Sequence, residues 1–320
     1  MITWGWTGMS HDASIAVFNG SELVYATQTG SKDLSQTVVD RALAYGKPNK
    51  IYFYEKPLLK KTRQLYAGQY TLLSKESPTT YMRKFYKDAP RSTTTSHHLS
   101  HAGAGYYTSP FKHAAVLVLD SIGEWDTITM WEGNEAKLTR LWGQRYPHSL
   151  GIWYSAMTQR VGLTPQVDEG KFTQISADGD ANKYYNLIMQ DFIERMPTIS
   201  DPRILFKRNC HRGCRDWRTD LNTVQDVADI AAATQRIFEE IVDKLMHSVA
   251  IKTNADNLVL VGGCAFNRPA VKLADKYFNN TWVLPNPGDA SSSIGCVLAH
   301  TRNFLDVSNV YSGVKLCLEK

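Results

Sequence analysis

No apolar run in this chain approaches the roughly twenty residues that a membrane-spanning helix needs; Ala114 to Leu119 and Leu258 to Val261 are among the longest. A charged and then apolar leader is also missing, since Met1-Ile2-Thr3-Trp4 opens directly into a strand, so a cytoplasmic protein without a membrane partner is expected. Cysteine is scarce and odd in number, five residues with no paired framework, which predicts reduced thiols at Cys264, Cys296 and Cys317. Charge is nearly balanced: a net +5 over 320 residues is by itself a weak argument for a polyanionic partner. What remains is ordinary globular composition, 43% apolar and 21% charged, enough for one large core or, as expected here, two lobes.

Four residues stand out against this background. His97 and His101 are spaced i, i+4, which on a helix places both imidazoles on one face. Asp120 closes an apolar strand and Asp289 lies in the turn Pro287-Gly288-Asp289-Ala290, so both carboxylates can reach the same point and complete an N2O2 site for a divalent metal. Histidine and aspartate suit iron, manganese, zinc or magnesium in differing degrees. His98 is expected to pack or to bond to backbone. Glu124 and Asp126 read as polar turn residues, with Glu124 a candidate to line a cleft.

The strand pattern repeats. Ile2 to Thr7 leads through the polar loop Gly8-Met9-Ser10-His11-Asp12 to strands Ser14 to Phe18 and Glu22 to Thr27, joined by the hairpin signal Asn19-Gly20. Ala114 to Asp120, Thr127 to Trp131 and Lys137 to Gly143 repeat the arrangement, with Glu132-Gly133-Asn134 read as the hairpin. Two such units predict an α/β, duplicated actin-like (ASKHA, ribonuclease H-like) two-lobe fold with an interlobe cleft. The lobes are expected at 1–112, with a helical basic and aromatic insertion at about 52–91, and at 113–320, with a loop-rich insertion at about 199–221. Val224 to Lys252 reads as a long helix with Ile230, Ala233, Ile237, Ile241 and Leu245 on one face. Strands Asn257 to Val261 and Thr281 to Leu284 each end in a glycine turn, Gly262-Gly263 before a helix from about Ala265, and Gly288 before Asp289. Such turns can present N–H groups to a phosphate or nucleoside.

Cations interleave with aromatic residues in three places: Lys60, Lys61 and Arg63 before Tyr66 and Tyr70; Arg83 and Lys84 among Tyr81, Phe85 and Tyr86; and Lys207, Arg208, Arg212 and Arg215 around Trp217. This suits a nucleic acid, whose phosphates take the charge and whose bases stack, and it equally suits solvated helix faces with the aromatics turned inward. Cys210, His211 and Cys214 offer ligands for a second metal or form a basic surface loop; no fourth ligand of familiar zinc spacing accompanies them.

His97-His98-Leu99-Ser100-His101-Ala102, Tyr107 to Phe111 and Ala115 to Asp120 closely resemble the core of the O-carbamoyltransferases of nodulation-factor, cephamycin and tobramycin biosynthesis. Ser10 to Ser14, Ser149 to Ala156, Asp229 to Ala232, Gly262 to Asn267 and Gly288 to Ala290 continue the resemblance in the family's order. It implies that His97, His101, Asp120 and Asp289 hold a metal, commonly iron, that touches a nucleotide phosphate. It also implies ATP-dependent transfer of the carbamoyl group of carbamoyl phosphate, through a carbamoyl adenylate, to a hydroxyl.

Within that scheme His11 is the candidate base and Asp12 its orienting partner. Gly262, Gly263 and Asn267 are expected to flank the adenosine and Gly288 the donor, while Lys171 is a phosphate or carboxylate anchor or else a surface charge. Family members usually carry a second, adenylate-forming domain, so a separate protein is expected to supply activation, or carbamoyl phosphate is used directly. The basic and aromatic insertions resemble phage-type enzymes that carbamoylate 5-hydroxymethylcytosine in DNA, with Trp217 or Tyr86 as a stacking platform for a flipped base; a phage product would act in the host's cytoplasm. Other readings are O-carbamoylation of a natural product or sugar, threonylcarbamoyl transfer to tRNA, and a non-catalytic nucleotide-binding module.

Overall fold

The computed structural model describes residues 1–10, 12–70 and 76–306 and the backbone of Cys317–Leu318. In chain order the first elements are β1 (Ile2–Thr7), β2 (Ser14–Asn19), β3 (Glu22–Gln28), α1 (Gln36–Ala44), β4 (Lys50–Phe53), α2 (Pro57–Tyr66), α3 (Pro78–Arg83), β5 (Ser92–Thr94) and α4 (His97–Thr108). They continue with β6 (His113–Gly123), β7 (Asp126–Asn134), β8 (Lys137–Arg145), α5 (Leu150–Arg160), α6 (Glu169–Ile175) and α7 (Tyr185–Phe192). The short pair β9 (Ile193–Arg195) and β10 (Leu205–Phe206) follows, then α8 (Val224–Thr253), β11 (Asn257–Val261), α9 (Arg268–Val271), β12 (Asn280–Val283), α10 (Ser292–Thr301) and β13 (Cys317–Leu318). Among the described residues no helix is long and apolar enough to cross a membrane.

Two sheets share one wiring. In the first, β1 pairs antiparallel with β2 and β2 with β3, while β4 and then β5 add in parallel on the other side of β1. In the second, β6, β7, β8, β11 and β12 repeat this arrangement strand for strand. The spatial order 3-2-1-4-5 therefore occurs twice, with β13 extending the first sheet beside β3. This is the duplicated actin-like architecture expected from the repeated hairpins.

The second hairpin turns three residues later than the sequence pattern indicated. Glu132, Gly133 and Asn134 belong to β7, paired with Ala115, Ala114 and His113, and the turn falls at Glu135, whose φ is +49°. Gly133 serves packing instead: a Cβ there would fall on the Tyr106 ring. The helix expected from Ala265 is broken into short helical turns around α9, which has proline in its first turn.

Burial on both faces explains why β6 reads as an unbroken apolar run. Ala114, Val116 and Val118 face the core shared with α4, α10 and the first sheet. Ala115, Leu117 and Leu119 face the other core, built largely on the Ile230, Ile237, Ile241 and Leu245 stripe of α8. Between the sheets α4 and α10 pack closely because their contact positions lack side chains. A Cβ on Gly295 would fall on the Ser100 carbonyl oxygen, one on Gly103 would crowd the Gly295 carbonyl oxygen, and one on Gly5 of β1 would strike that of Ser293.

These obstacles are backbone atoms, so Gly295→Ala is expected to force the helices apart and destabilise the protein by about 2 kcal/mol or more. Gly170→Ala in α6, where a Cβ meets nothing within 4 Å, is expected to be neutral or to stabilise by up to about 1 kcal/mol. Chemical denaturation of the two variants checks the contrast.

Candidate metal centre

The site begins at the N-terminus of α4. Ser96 makes no side-chain cap bond there; Glu124, in the tight turn between β6 and β7 at φ +49°, supplies one from another part of the chain. Its Oε1 accepts from the backbone N–H of His97 at 3.1 Å and from that of Lys56, at the start of α2, at 2.6 Å. One carboxylate thus meets two helix N-termini, where partial positive charge favours it. Burial pushes its pKa up, opposed by His97 and by these two amides. Preceding it, Gly123 leaves room for the His97 ring, which a Cβ would overlap. Asp126, by contrast, stays in the strand and pairs with Arg140 at 2.7 and 2.8 Å.

His97 and His101, one helical turn apart, point their Nε2 atoms at each other, 3.0 Å apart. Asp120 sits just past the last β6–β11 pair, Val118 with Val261, where β11 peels away. Its Oδ2 is 3.2 Å from His97 Nε2, and its Oδ1 accepts from Gly263 N at 3.3 Å. Asp289, in the turn leading into α10, brings Oδ1 to 3.1 Å from His101 Nε2 and 3.3 Å from His97 Nε2. All four side chains are buried and their donor atoms lie within 4.8 Å of one another, a grouping of metal-ligand type found nowhere else among the described residues.

These separations fit a common ion, because adjacent donors about 2.0–2.2 Å from one cation stand roughly 3.0–3.5 Å apart. The electrostatics fit as well. Burial pushes the His97 pKa down, but the carboxylates of Asp289 and Asp120 outweigh it and hold the imidazole well above its usual value. Burial acts to raise Asp120, and the contact with His97 more than reverses it. The pair of acids therefore demands positive charge at this point. The outer nitrogen of His101 is 3.4 Å from Ser292 Oγ, which orients the ring. His98 is buried and packed, as one of the two expectations had it, and its Nδ1 meets a side chain, Thr129 Oγ1, at 2.9 Å.

A cavity of about 430 Å³ opens on His97 and Asp289. Its wall carries charge of both signs, Lys32, Lys60, Lys61 and Arg63 against Glu55, Glu76, Glu124 and Asp289; Tyr54 lines it too, and His211 reaches it from the 199–221 segment. Tyr54, which follows β4 and lies fully buried beside the His97 ring, carries no motif that the sequence could show, nor does Gln69, which follows α2 and bonds Arg63. His11 lies outside the described residues. Asp12 is exposed at φ +48°, and its carbonyl oxygen accepts from Thr7 Oγ1 at 2.6 Å.

Other expected site residues have other employment. Gly262, at φ +99°, lies against the Leu119 carbonyl, and Gly263 bonds Asp120, so this turn borders the centre. Gly288 shapes the turn before Asp289 through bonds to Asn286 and Ser291. Asn267 is buried in a network with Gln235 and caps α9. Lys171 is exposed and pairs with Asp168 at 2.7 Å.

Trp217 is corrected outright. It is 4% exposed, its Nε1 donates to Asp191 at 2.8 Å and Phe192 packs edge-on to it, so no face is open to a base. Arg63 is likewise buried. Arg83, Lys84, Lys207, Arg208, Arg212 and Arg215 are all exposed; of these Arg83 bonds the Ala89 carbonyl, Lys84 pairs with Glu76, Lys207 bonds the Gln190 carbonyl and Arg208 lies over Phe192. Among the described residues, Cys210, His211 and Cys214 do not come together as a metal-ligand grouping. Burial pushes both thiols up to about 12, keeping them protonated, and His211 is engaged by Tyr146 and Gln69.

Residues 7–298 match the family described as the carbamoyltransferase N-terminus. The chain belongs to this family. It is 32% identical over 234 residues to an uncharacterized protein of Synechocystis sp., covering 68% of this chain and 38% of that protein. It is 28% identical to an uncharacterized protein of Methanocaldococcus jannaschii (69% and 43% covered) and 26% identical to nodulation protein NolNO of Sinorhizobium fredii (66% and 31%). The chain therefore spans less than half the length of these relatives. Among solved structures, HypF of T. kodakarensis superposes with a TM-score of 0.53 at 10% identity, covering 95% of this chain and 48% of that one. Full-length HypF in its phosphate- and nucleotide-bound form gives 0.53 at 11% identity, with 94% and 55% covered. At such identity the likeness concerns the fold.

His101→Ala and Asp289→Asn are each expected to lower affinity for a divalent metal by about tenfold or more, and Ser292→Ala, which removes only the orienting contact, by less. Elemental analysis of purified protein and competition with a chelator measure the order.

Proposed function

We propose that this protein transfers the carbamoyl group of carbamoyl phosphate to a hydroxyl group over a divalent metal, iron in our reading, held by His97, His101, Asp120 and Asp289. The observation that carries the proposal is the convergence of four buried donors beside a cavity that His97 and Asp289 line together with Lys32, Lys61 and Arg63. A bound cation there would neutralise phosphate charge and polarise the carbamoyl carbonyl. Lys32, Lys61 and Arg63 draw in an anionic donor. Gly262, Gly263 and Gly288 flank the nucleotide, and ATP enters through a carbamoyl adenylate. The acceptor oxygen bonds the carbonyl carbon, the phosphate-bearing group leaves with its electron pair, and the hydroxyl proton passes to His11, oriented by Asp12.

For the acceptor we put forward the hydroxymethyl group of 5-hydroxymethylcytosine in DNA, a primary alcohol on a base that flips into the cleft. A cavity of about 430 Å³ is of a size for one nucleoside. A small hydroxylated metabolite is the second reading, favoured by the burial of Trp217.

Incubation with carbamoyl phosphate, ATP and hydroxymethylated DNA, followed by mass spectrometry of the nucleosides, is expected to show a base heavier by one carbamoyl group. Plain DNA should stay unmodified. Product only on an aminoglycoside arm would move the acceptor to a small molecule, and no product on any arm, with metal bound and an adenylate-forming partner supplied, would reject carbamoyl transfer.

A further inference from the structure

Arg63 is 6% exposed, yet both of its bonding partners are neutral. Its Nε donates to the Glu124 backbone carbonyl at 3.1 Å and its Nη1 to Gln69 Oε1 at 2.6 Å. Among the described residues no carboxylate pairs with it; Glu55, the acid whose field reaches it, is bonded to Lys60 at 2.7 Å. Only two of its five N–H donors are used. A buried guanidinium without a counter-charge is costly, and this one lines the same cavity as His97 and Asp289.

Its surroundings hold it in place. Because Gln69 Oε1 accepts from Arg63, the amide nitrogen of Gln69 faces His211 Nε2, 3.1 Å away. That ring nitrogen must then accept, which puts the imidazole proton on Nδ1, directed at Tyr146 Oη at 3.3 Å. The neutral ring adds no charge to the wall. A chain of side chains from α2 to the 199–221 segment therefore fixes one cation and leaves its remaining donors for a ligand.

We infer that Arg63 is an anion-binding residue of this cleft, distinct from the four metal-site residues, and that it receives a phosphate-type group through its planar fork. The inference deepens the function proposed above and rests on it for the identity of the phosphate. That group is either the donor's phosphate or the 5′-phosphate of a nucleotide acceptor.

Calorimetric titration of metal-loaded protein separates the sources, with inorganic phosphate in one arm and 5-hydroxymethyldeoxycytidine 5′-monophosphate, compared with its nucleoside, in the other. Arg63→Gln is expected to weaken at least one arm by tenfold or more at unchanged metal content. Arg63→Lys, which keeps the charge and loses the fork, should fall between. A loss confined to inorganic phosphate assigns the residue to the donor, and a loss of the nucleotide's advantage over the nucleoside assigns it to the acceptor. Affinities within twofold of the parent in both arms would overturn the inference, and Arg63→Lys alone decides if Arg63→Gln does not fold. Phosphate binding is read without turnover, so failure to carbamoylate would reject the reaction and leave this result standing.

Discussion

The close approach of α4 to α10 is the constraint on which the centre depends. His97 and His101 ride on the first of these helices, and Asp289 enters just ahead of the second. With Gly103 and Gly295 at the contact, carbonyl oxygens take the place of side chains, and the helices meet at a distance that larger residues would prevent. The third supporting element is β6, whose alternate faces feed two cores and so fix its rotation, leaving Asp120 on the α4 side. Four donors drawn from three distant segments are thereby brought within 4.8 Å of one another by packing contacts made by other residues.

Charge completes what packing begins. Two carboxylates and two imidazoles lie buried together, and such a group is stable only with compensating positive charge. A proton shared between the rings and acids provides it in part, and a divalent ion does so more fully while matching the donor spacing. The same economy operates at Glu124, whose buried carboxylate is offset by two helix N-termini and by bonds to two amides.

Much of this was legible in the chain. The repeated hairpins gave the duplicated sheets because β-strand alternation and turn residues are local signals, and β11 falls at the residues expected for it. The i, i+4 histidines were readable for the same reason, as a helix has a fixed period. What failed were inferences about side-chain exposure. Trp217 stands among arginines in sequence, yet its ring packs on Phe192 and bonds Asp191, contacts made across more than twenty residues of chain. Gly133 resembled a turn glycine because the Tyr106 ring that requires it comes from another element. Arg63 was grouped with surface cations, since nothing nearby in sequence announces that Glu124 and Gln69 would enclose it.

Glu124 also couples two parts that differ in purpose. By gripping the start of α2 and the start of α4 with a single oxygen, it fastens the outer wall of the cavity to the helix that carries the histidines. Substitutions that move the start of α2 will strain that fastener. The shape of the cavity wall and the placement of the two imidazoles are therefore not independently variable in this scaffold.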